Sequence, residues 1–225
     1  MSSFKNVFKI ITHDKLEHAV KYIKGLFQSR KRNIERMTEQ VVDSDYYNIQ
    51  HFISELPWDA RKVFDKVSVD TSNLLNSFDG VGLLIDESAL SKKGEYSVGI
   101  SRQYNGNAGK VDNCQVAVYA TLTGENHYGL IDTELFLPES WTDDKHRCKK
   151  AGVPNKRLQF KSKLELALDI LKRQRALGTK YGWIGADGFY GNSSWFLKKL
   201  DELNELFVID IQKVIQRCKT GSGNV

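Results

Sequence analysis

Val81-Gly82-Leu83-Leu84-Ile85-Asp86-Glu87-Ser88 is the stretch that decides the fold: an apolar run of strand length that ends on a carboxylate and a polar turn. Upstream of it the apolar period is helical. Leu16, Ala19, Val20, Ile23 and Phe27 fall on one face of a first helix, with Lys15, Glu17, Lys21 and Lys24 on the other. A second helix is expected over Met37 to Val42 and a third over Tyr46 to Leu56, stopped before Pro57. Downstream, the pattern turns to strands. After a turn at Lys92-Lys93-Gly94, Tyr96 to Gln103 and Asn113 to Thr123 read as two more strands, the last rich in Val, Tyr and Thr. Short links between the three predict an antiparallel meander.

An irregular segment containing Leu137-Pro138-Glu139-Ser140-Trp141 follows, then a long helix carrying Leu164, Ala167, Leu168, Leu171 and Arg175, stopped at Gly178. A short strand, Tyr181 to Ala186, leads to Asp187 and a glycine-rich turn. A helix over Ser194 to Leu203, capped by Ser193 or Asn192, and a strand over Leu206 to Ile211 complete the pattern. The fold class is α/β: three antiparallel strands, helix, strand, helix, strand, preceded by a small helical region. Residues 1–79 form that region, 80–213 the mixed core, and 214–225 a polar tail ending Gly221-Ser222-Gly223-Asn224-Val225.

Composition bounds the function classes. The chain is 40% apolar and 27% charged, ordinary for a globular protein. Its apolar runs are too short to span a bilayer, and Met1 to Lys9 lacks the features of a secretion signal. Three cysteines (Cys114, Cys148, Cys218) show no metal-ligand spacing and fit a reducing cytoplasm. The net charge of +5 permits nucleic-acid binding without requiring it. From Lys145 to Leu164 eight positive residues (Lys145, Arg147, Lys149, Lys150, Lys156, Arg157, Lys161 and Lys163) occur without an acid. Such a run is either a solvated loop or a surface that neutralises DNA phosphates. The smaller cluster Arg30, Lys31, Arg32 and Arg36 leaves the same two readings open.

Asp86 and Asp187 each close a short apolar strand and open a polar turn. Carboxylates held at strand ends suit a hard divalent cation, and on neighbouring strands the two would bridge a metal pair roughly 3.5–4 Å apart. An aspartate in that position also serves as a turn residue or a helix cap, so spacing alone leaves both roles open.

Resemblance narrows the choice. Leu84-Ile85-Asp86-Glu87-Ser88, Lys92-Lys93-Gly94, Ser97-Val98-Gly99-Ile100-Ser101-Arg102-Gln103-Tyr104 and Gly109-Lys110-Val111-Asp112-Asn113-Cys114-Gln115-Val116-Ala117-Val118 resemble the core blocks of a bacterial insertion-sequence transposase family. Leu137-Pro138-Glu139-Ser140-Trp141, Ala151-Gly152-Val153-Pro154 and Ala186-Asp187-Gly188-Phe189-Tyr190-Gly191 continue the likeness in order, as do His51-Phe52-Ile53-Ser54 and Pro57-Trp58-Asp59 upstream. Together they span about residues 45 to 212. The resemblance implies a DDE enzyme with a ribonuclease H-like core and a β-rich insertion. By it, Asp86 and Asp187 are the first two catalytic, metal-binding aspartates, using Mg²⁺ or Mn²⁺ in a two-metal site. The implied reactions are strand cleavage at transposon ends and transfer of the freed 3′-hydroxyl into target DNA. Lys92, Lys93, Arg102 and Lys110 lie in matching blocks and become candidates for DNA-phosphate contact, with Lys149, Lys150, Lys156 and Arg157 added from the basic run.

The likeness breaks after Lys213. The family's third acid, a glutamate on a later helix, has no counterpart among Asp201, Glu202, Glu205 and Asp210, although Glu202 or Glu205 is a conceivable substitute. The expectation is therefore a C-terminally truncated transposase with an incomplete metal site, poorly active alone and marginally folded, with one sheet face uncovered. A non-catalytic DNA-binding regulator is the alternative, titrating transposon ends or joining an intact transposase in mixed oligomers; a homo-oligomer is also conceivable. A metal-dependent hydrolase of small phosphoesters is a third possibility, disfavoured by the basic run. Both DNA readings place the protein in the bacterial cytoplasm, at the nucleoid.

Overall fold

The computed structural model describes residues 4–10 and 13–211. Divergence of the tail at 214–225, and Cys218, lie outside the described residues. The chain divides into two compact units, Met1–Val67 and Ser68–Val225.

In the first unit, β1 (Lys9–Ile10) pairs antiparallel with β2 (His13–Asp14) ahead of three helices, α1 (Leu16–Gln28), α2 (Ile34–Gln40) and α3 (Tyr46–Ser54). The α2 helix starts three residues before the expected Met37 because Asn33 caps it, accepting the Arg36 amide at 2.8 Å. Asp45 caps α3 in the same way. Phe8, Ala19 and Phe52 form a small buried core, with Trp58 stacked 5.9 Å from Phe52. A fourth helix, α4 (Ala60–Leu75), runs across the division. No apolar stripe announces it, because its buried positions include Ser68 and Ser72.

The second unit is built on a six-stranded mixed sheet with path β4-β5-β3-β7-β8, and β6 paired to β5. Its strands are β3 (Gly82–Ser91), β4 (Ser101–Asn105), β5 (Lys110–Gly124), β6 (His127–Leu135), β7 (Trp183–Ala186) and β8 (Phe207–Ile209). The α/β class and the ribonuclease H-like order hold, with three local corrections. First, β3 does not stop at Asp86; it runs on to Ser91, antiparallel to β5 throughout. Second, the meander is rearranged: β5 pairs directly with β3, while β4 pairs with residues 110–114 of β5 on its outer edge. Third, part of the expected irregular segment is a fourth antiparallel strand, β6, beside residues 117–124 of β5.

Leu83 and Ile85 point to the buried face of β3 and share one buried core with Leu166, Ala167, Ile170 and Leu171 of helix α7 (Lys163–Ala176). Ser162 and Glu165 close a capping box at its start, and Gly178 follows its end at φ +72°. This helix is the crossover that lets β7 lie parallel to β3. The opposite sheet face is less covered: Leu84 is 37% and Val208 68% exposed. A second core, around Trp141, Cys148, Ile100 and Leu137, joins α5 (Glu139–Thr142) and α6 (Lys145–Lys150) to the loop ahead of β4. The basic run is thus not a plain loop: its first part is helix α6, and Asn155–Arg157 make a 3₁₀ turn.

One buried charge fastens α7 to the sheet. Asp132 on β6 is 0% exposed and accepts Arg173 Nε at 2.8 Å, Arg173 Nη2 at 3.0 Å and Gln174 Nε2 at 2.7 Å. Gln174 Oε1 in turn accepts from Ser68 and Thr179. Removing one partner strands the others without hydrogen bonds. Asp132→Ala is therefore expected to lower stability by about 3–5 kcal/mol in urea unfolding, whereas Lys149→Ala on the exposed end of α6 leaves it within about 0.5 kcal/mol.

Candidate active site

Parallel pairing of β3 and β7 runs Gly82↔Trp183 to Ile85↔Ala186. Asp86 and Asp187 stand one residue past the last pair, where β7 ends and β3 continues. Neighbouring strands lie roughly 5 Å apart, so the fold brings together two carboxylates separated by a hundred positions of sequence. Both are exposed.

Their local partners differ. Asp86 Oδ1 accepts the Glu87 amide at 2.7 Å. Asp187 Oδ1 accepts the Phe189 amide at 3.0 Å and so caps α8 (Gly188–Gly191), a single helical turn where the sequence suggested a turn. The cap role and the sheet-edge position coexist in one residue. Gly191 lets this turn sit against the end of β8: an added Cβ would lie 1.9 Å from the Asp210 carbonyl oxygen. Next, α9 (Ser194–Glu202), capped by Ser193, packs Phe196 and Leu200 into the core.

Charge is poorly compensated at this edge. Loss of hydration by partial burial, then the negative charge of Asp187, hold the Asp86 carboxyl above the usual aspartate range against the Glu87 amide and Lys163, which pull it down. A divalent cation would relieve that repulsion, so the two carboxylates fit a metal of the Mg²⁺ or Mn²⁺ type. Among the described residues no group of three His, Cys, Asp or Glu side chains surrounds a common point. The conceivable substitutes for a third acid are engaged elsewhere. Glu202 pairs with Lys199 at 2.6 Å, while Glu205, its side chain 8% exposed, pairs with Arg175 and accepts the Tyr181 hydroxyl.

Three residues beside the acids were not singled out for this site from sequence. Lys163, at the first turn of α7, donates to Glu87 Oε1 at 2.9 Å and lies 5.4 Å from the Phe189 ring centre. Tyr190 is fully buried behind them, its hydroxyl toward Glu87, yet neither that oxygen nor Glu87 Oε2 has a hydrogen bond of good geometry. Burial first, then the Glu87, Asp86 and Asp187 carboxylates, push the Tyr190 hydroxyl far above the usual tyrosine range. The signal for Lys163 was its place in the basic run; Glu87 and Tyr190 were visible only as members of family-like blocks.

The candidate phosphate contacts lie beyond the far end of β3, on the β4–β5 ribbon and in the segments after β6. Lys92 and Lys93 follow β3, while Arg102 and Lys110 flank Asp112 on the ribbon. Lys149, Lys150 and Lys156 are exposed and make no ion pair among the described residues. Arg157 is different: it pairs with Glu134 at 2.5 Å and donates to the Leu135 carbonyl. Lys161 and Lys163 likewise find acids outside the run, Asp169 and Glu87. Three of the eight positive residues in the run that lacks acids in sequence are therefore paired with acids in space.

The sequence matches the family described as DDE superfamily endonuclease over residues 6–214. It is also 30% identical over 203 residues to a protein of Microchaete diplosiphon named "Probable transposase for insertion sequence element IS701", the match covering 86% of this chain and 48% of that protein. The chain spans about half the length of that curated relative.

Because the folded Asp86 carboxyl titrates above its unfolded range, its contribution to stability is full at acid pH and fades as pH rises through the folded value. Asp86→Asn is expected to raise the melting temperature at neutral pH by about 1–2 °C, a small shift because solvent screens the carboxylate. The gain should vanish in calorimetric scans run below the ordinary aspartate range.

Proposed function

This chain belongs to the DDE superfamily endonucleases, and from that premise we propose that it carries the core of an insertion-sequence transposase, which nicks DNA and transfers a 3′-hydroxyl. The observation that supports the reading most directly is the register of β3 and β7, which sets Asp86 beside Asp187 at one sheet edge. Divalent cations bound there would supply activation of the attacking hydroxyl and stabilisation of the leaving oxygen. The protein's part is positional. Asp86 is fixed on a strand paired on both edges, and Asp187 by its bond to the Phe189 amide. Lys163 keeps a positive charge beside the acids, held by Glu87. Lys92, Lys93, Arg102 and Lys110, with Lys149, Lys150 and Lys156, carry the DNA backbone past the edge; Arg157 supports the surface through Glu134. Such a protein works on chromosomal DNA in the cytoplasm. Among the described residues no helix is long and apolar enough to cross a membrane.

A second reading rests on a specific observation: no third metal-ligating side chain joins Asp86 and Asp187 among the described residues. With two carboxylates only, the chain would bind DNA and occupy transposon ends, or enter mixed oligomers, without cutting. Mn²⁺-dependent nicking of supercoiled plasmid separates the two. The nuclease reading expects nicking by the wild type and its fall by about 100-fold or more in Asp187→Ala and in Asp86→Ala. Equal rates in all three proteins would refute it, and DNA retention without nicking would leave the binding role.

A further inference from the structure

Residues 92–100, between β3 and β4, have little regular structure but are fastened from both sides. Asn113 Nδ2 donates to the Lys92 and Gly94 carbonyls, both at 3.0 Å. Arg147 Nη2 donates to the Glu95 carbonyl at 2.9 Å, Gln115 Nε2 to that of Val98 at 2.6 Å, and Trp141 Nε1 to that of Ile100 at 2.7 Å. Five carbonyls of one short loop are thus held by side chains of β5, α5 and α6. In the middle of this fastened loop stands Tyr96, 92% exposed, its ring given to solvent. A large aromatic left in water is suited to stacking, and because its loop is already fastened little backbone entropy remains to be lost on binding.

Tyr96 edges an open cleft of about 510 Å³ lined also by Glu95, Trp141, His146, Arg147, Lys150 and Ala151. Its floor is a cation on an aromatic: the Arg147 guanidinium lies 3.8 Å from the Trp141 ring centre. Lys150 and His146 add donors at the rim, and Lys149 lies next to it in the chain. Apart from Glu95, no acid among the described residues lines the cleft. An exposed aromatic face beside several cations is the combination that grips unpaired nucleic acid, whose bases offer a ring face and whose backbone offers phosphate. Duplex DNA presents phosphates alone to such a surface, its bases being stacked inside. The cleft also lies on the side of the sheet that leads away from the acids: β3 carries the chain from Asp86 to Ser91, roughly 17 Å, directly into the loop.

The geometry points to a binding subsite for single-stranded DNA, in which a base stacks on Tyr96 while Arg147 and Lys150 hold the adjoining phosphates. This inference rests on the DNA-processing reading and deepens it, since the strand ends left at a nick fray and expose unpaired bases. The test is fluorescence anisotropy of the full chain with a labelled single strand and with the duplex of the same sequence, at low salt. The wild type binds both. Tyr96→Ala lowers affinity for the single strand by about tenfold and leaves duplex affinity unchanged within about twofold; Tyr96→Phe binds as the wild type does. Lys150→Ala weakens both forms and reduces the salt slope by about one. Tyr96 is so exposed that its variants keep the fold, which circular dichroism checks. Unchanged single-strand binding by Tyr96→Ala, or equal losses on both forms, overturns the subsite. Duplex binding without single-strand binding by the wild type overturns it while sparing the DNA reading. No binding of either form overturns both.

Discussion

The four-residue parallel contact between β3 and β7 carries the consequences of this fold. Parallel neighbours need a crossover, and α7 supplies it, so Asp187 reaches Asp86 only if α7 is seated on the sheet. The seating has two parts of different character. Leu166, Ala167, Ile170 and Leu171 are buried in one core with Leu83 and Ile85, which is strong but does not fix direction. Asp132 with Arg173 and Gln174 fixes the helix along its axis, because ionic and amide hydrogen bonds tolerate little displacement. A buried acid on β6 is thus what aligns two exposed acids two and three strands away.

The acid edge is the opposite case, where charge is gathered without being satisfied. Asp86 and Asp187 repel, and Glu87 adds a third negative charge whose Oε2 has no hydrogen bond. Among the described residues Lys163 is the cation seated among them, held by Glu87 and the face of Phe189. A fold selected for stability alone would have no reason to assemble this. Unfavourable electrostatics held in place by a well-packed core on one face of the sheet are the arrangement that the binding site proposed for Asp86 and Asp187 requires.

How much of this was legible depended on whether local pattern and tertiary demand agreed. Val81 to Ile85, the α7 stripe and the Ser193 cap were readable because burial, propensity and turn chemistry point the same way there. The sheet path was not. His127 to Leu135 reads as polar because its buried members include Asp132, whose partners lie on α7. Helix α4 hid for a related reason, burying serines that bond Gln174 and the Lys180 amide. Asp86 and Asp187 were visible as candidates. That β3 continues past Asp86 was not, since the strand character of Glu87 to Ser91 comes from pairing with Cys114 to Val118 and not from its own residues.

That continuation joins the two halves of the unit. Had β3 ended with β7, Asp86 would sit on a chain turning away from the sheet, free to move with the loop. Pairing with β5 for five residues more makes Asp86 an interior strand position on one edge and a strand-end position on the other. The backbone there is rigid although the carboxylate is open to solvent. The same pairing delivers the chain to residues 92–100, which Asn113 and Gln115 of β5 then fasten. One long strand, β5, therefore sets both the acid at the sheet edge and the loop that presents Tyr96. A change in its register would displace the two together, so the distance between the acids and the aromatic-basic cleft is a fixed property of the fold.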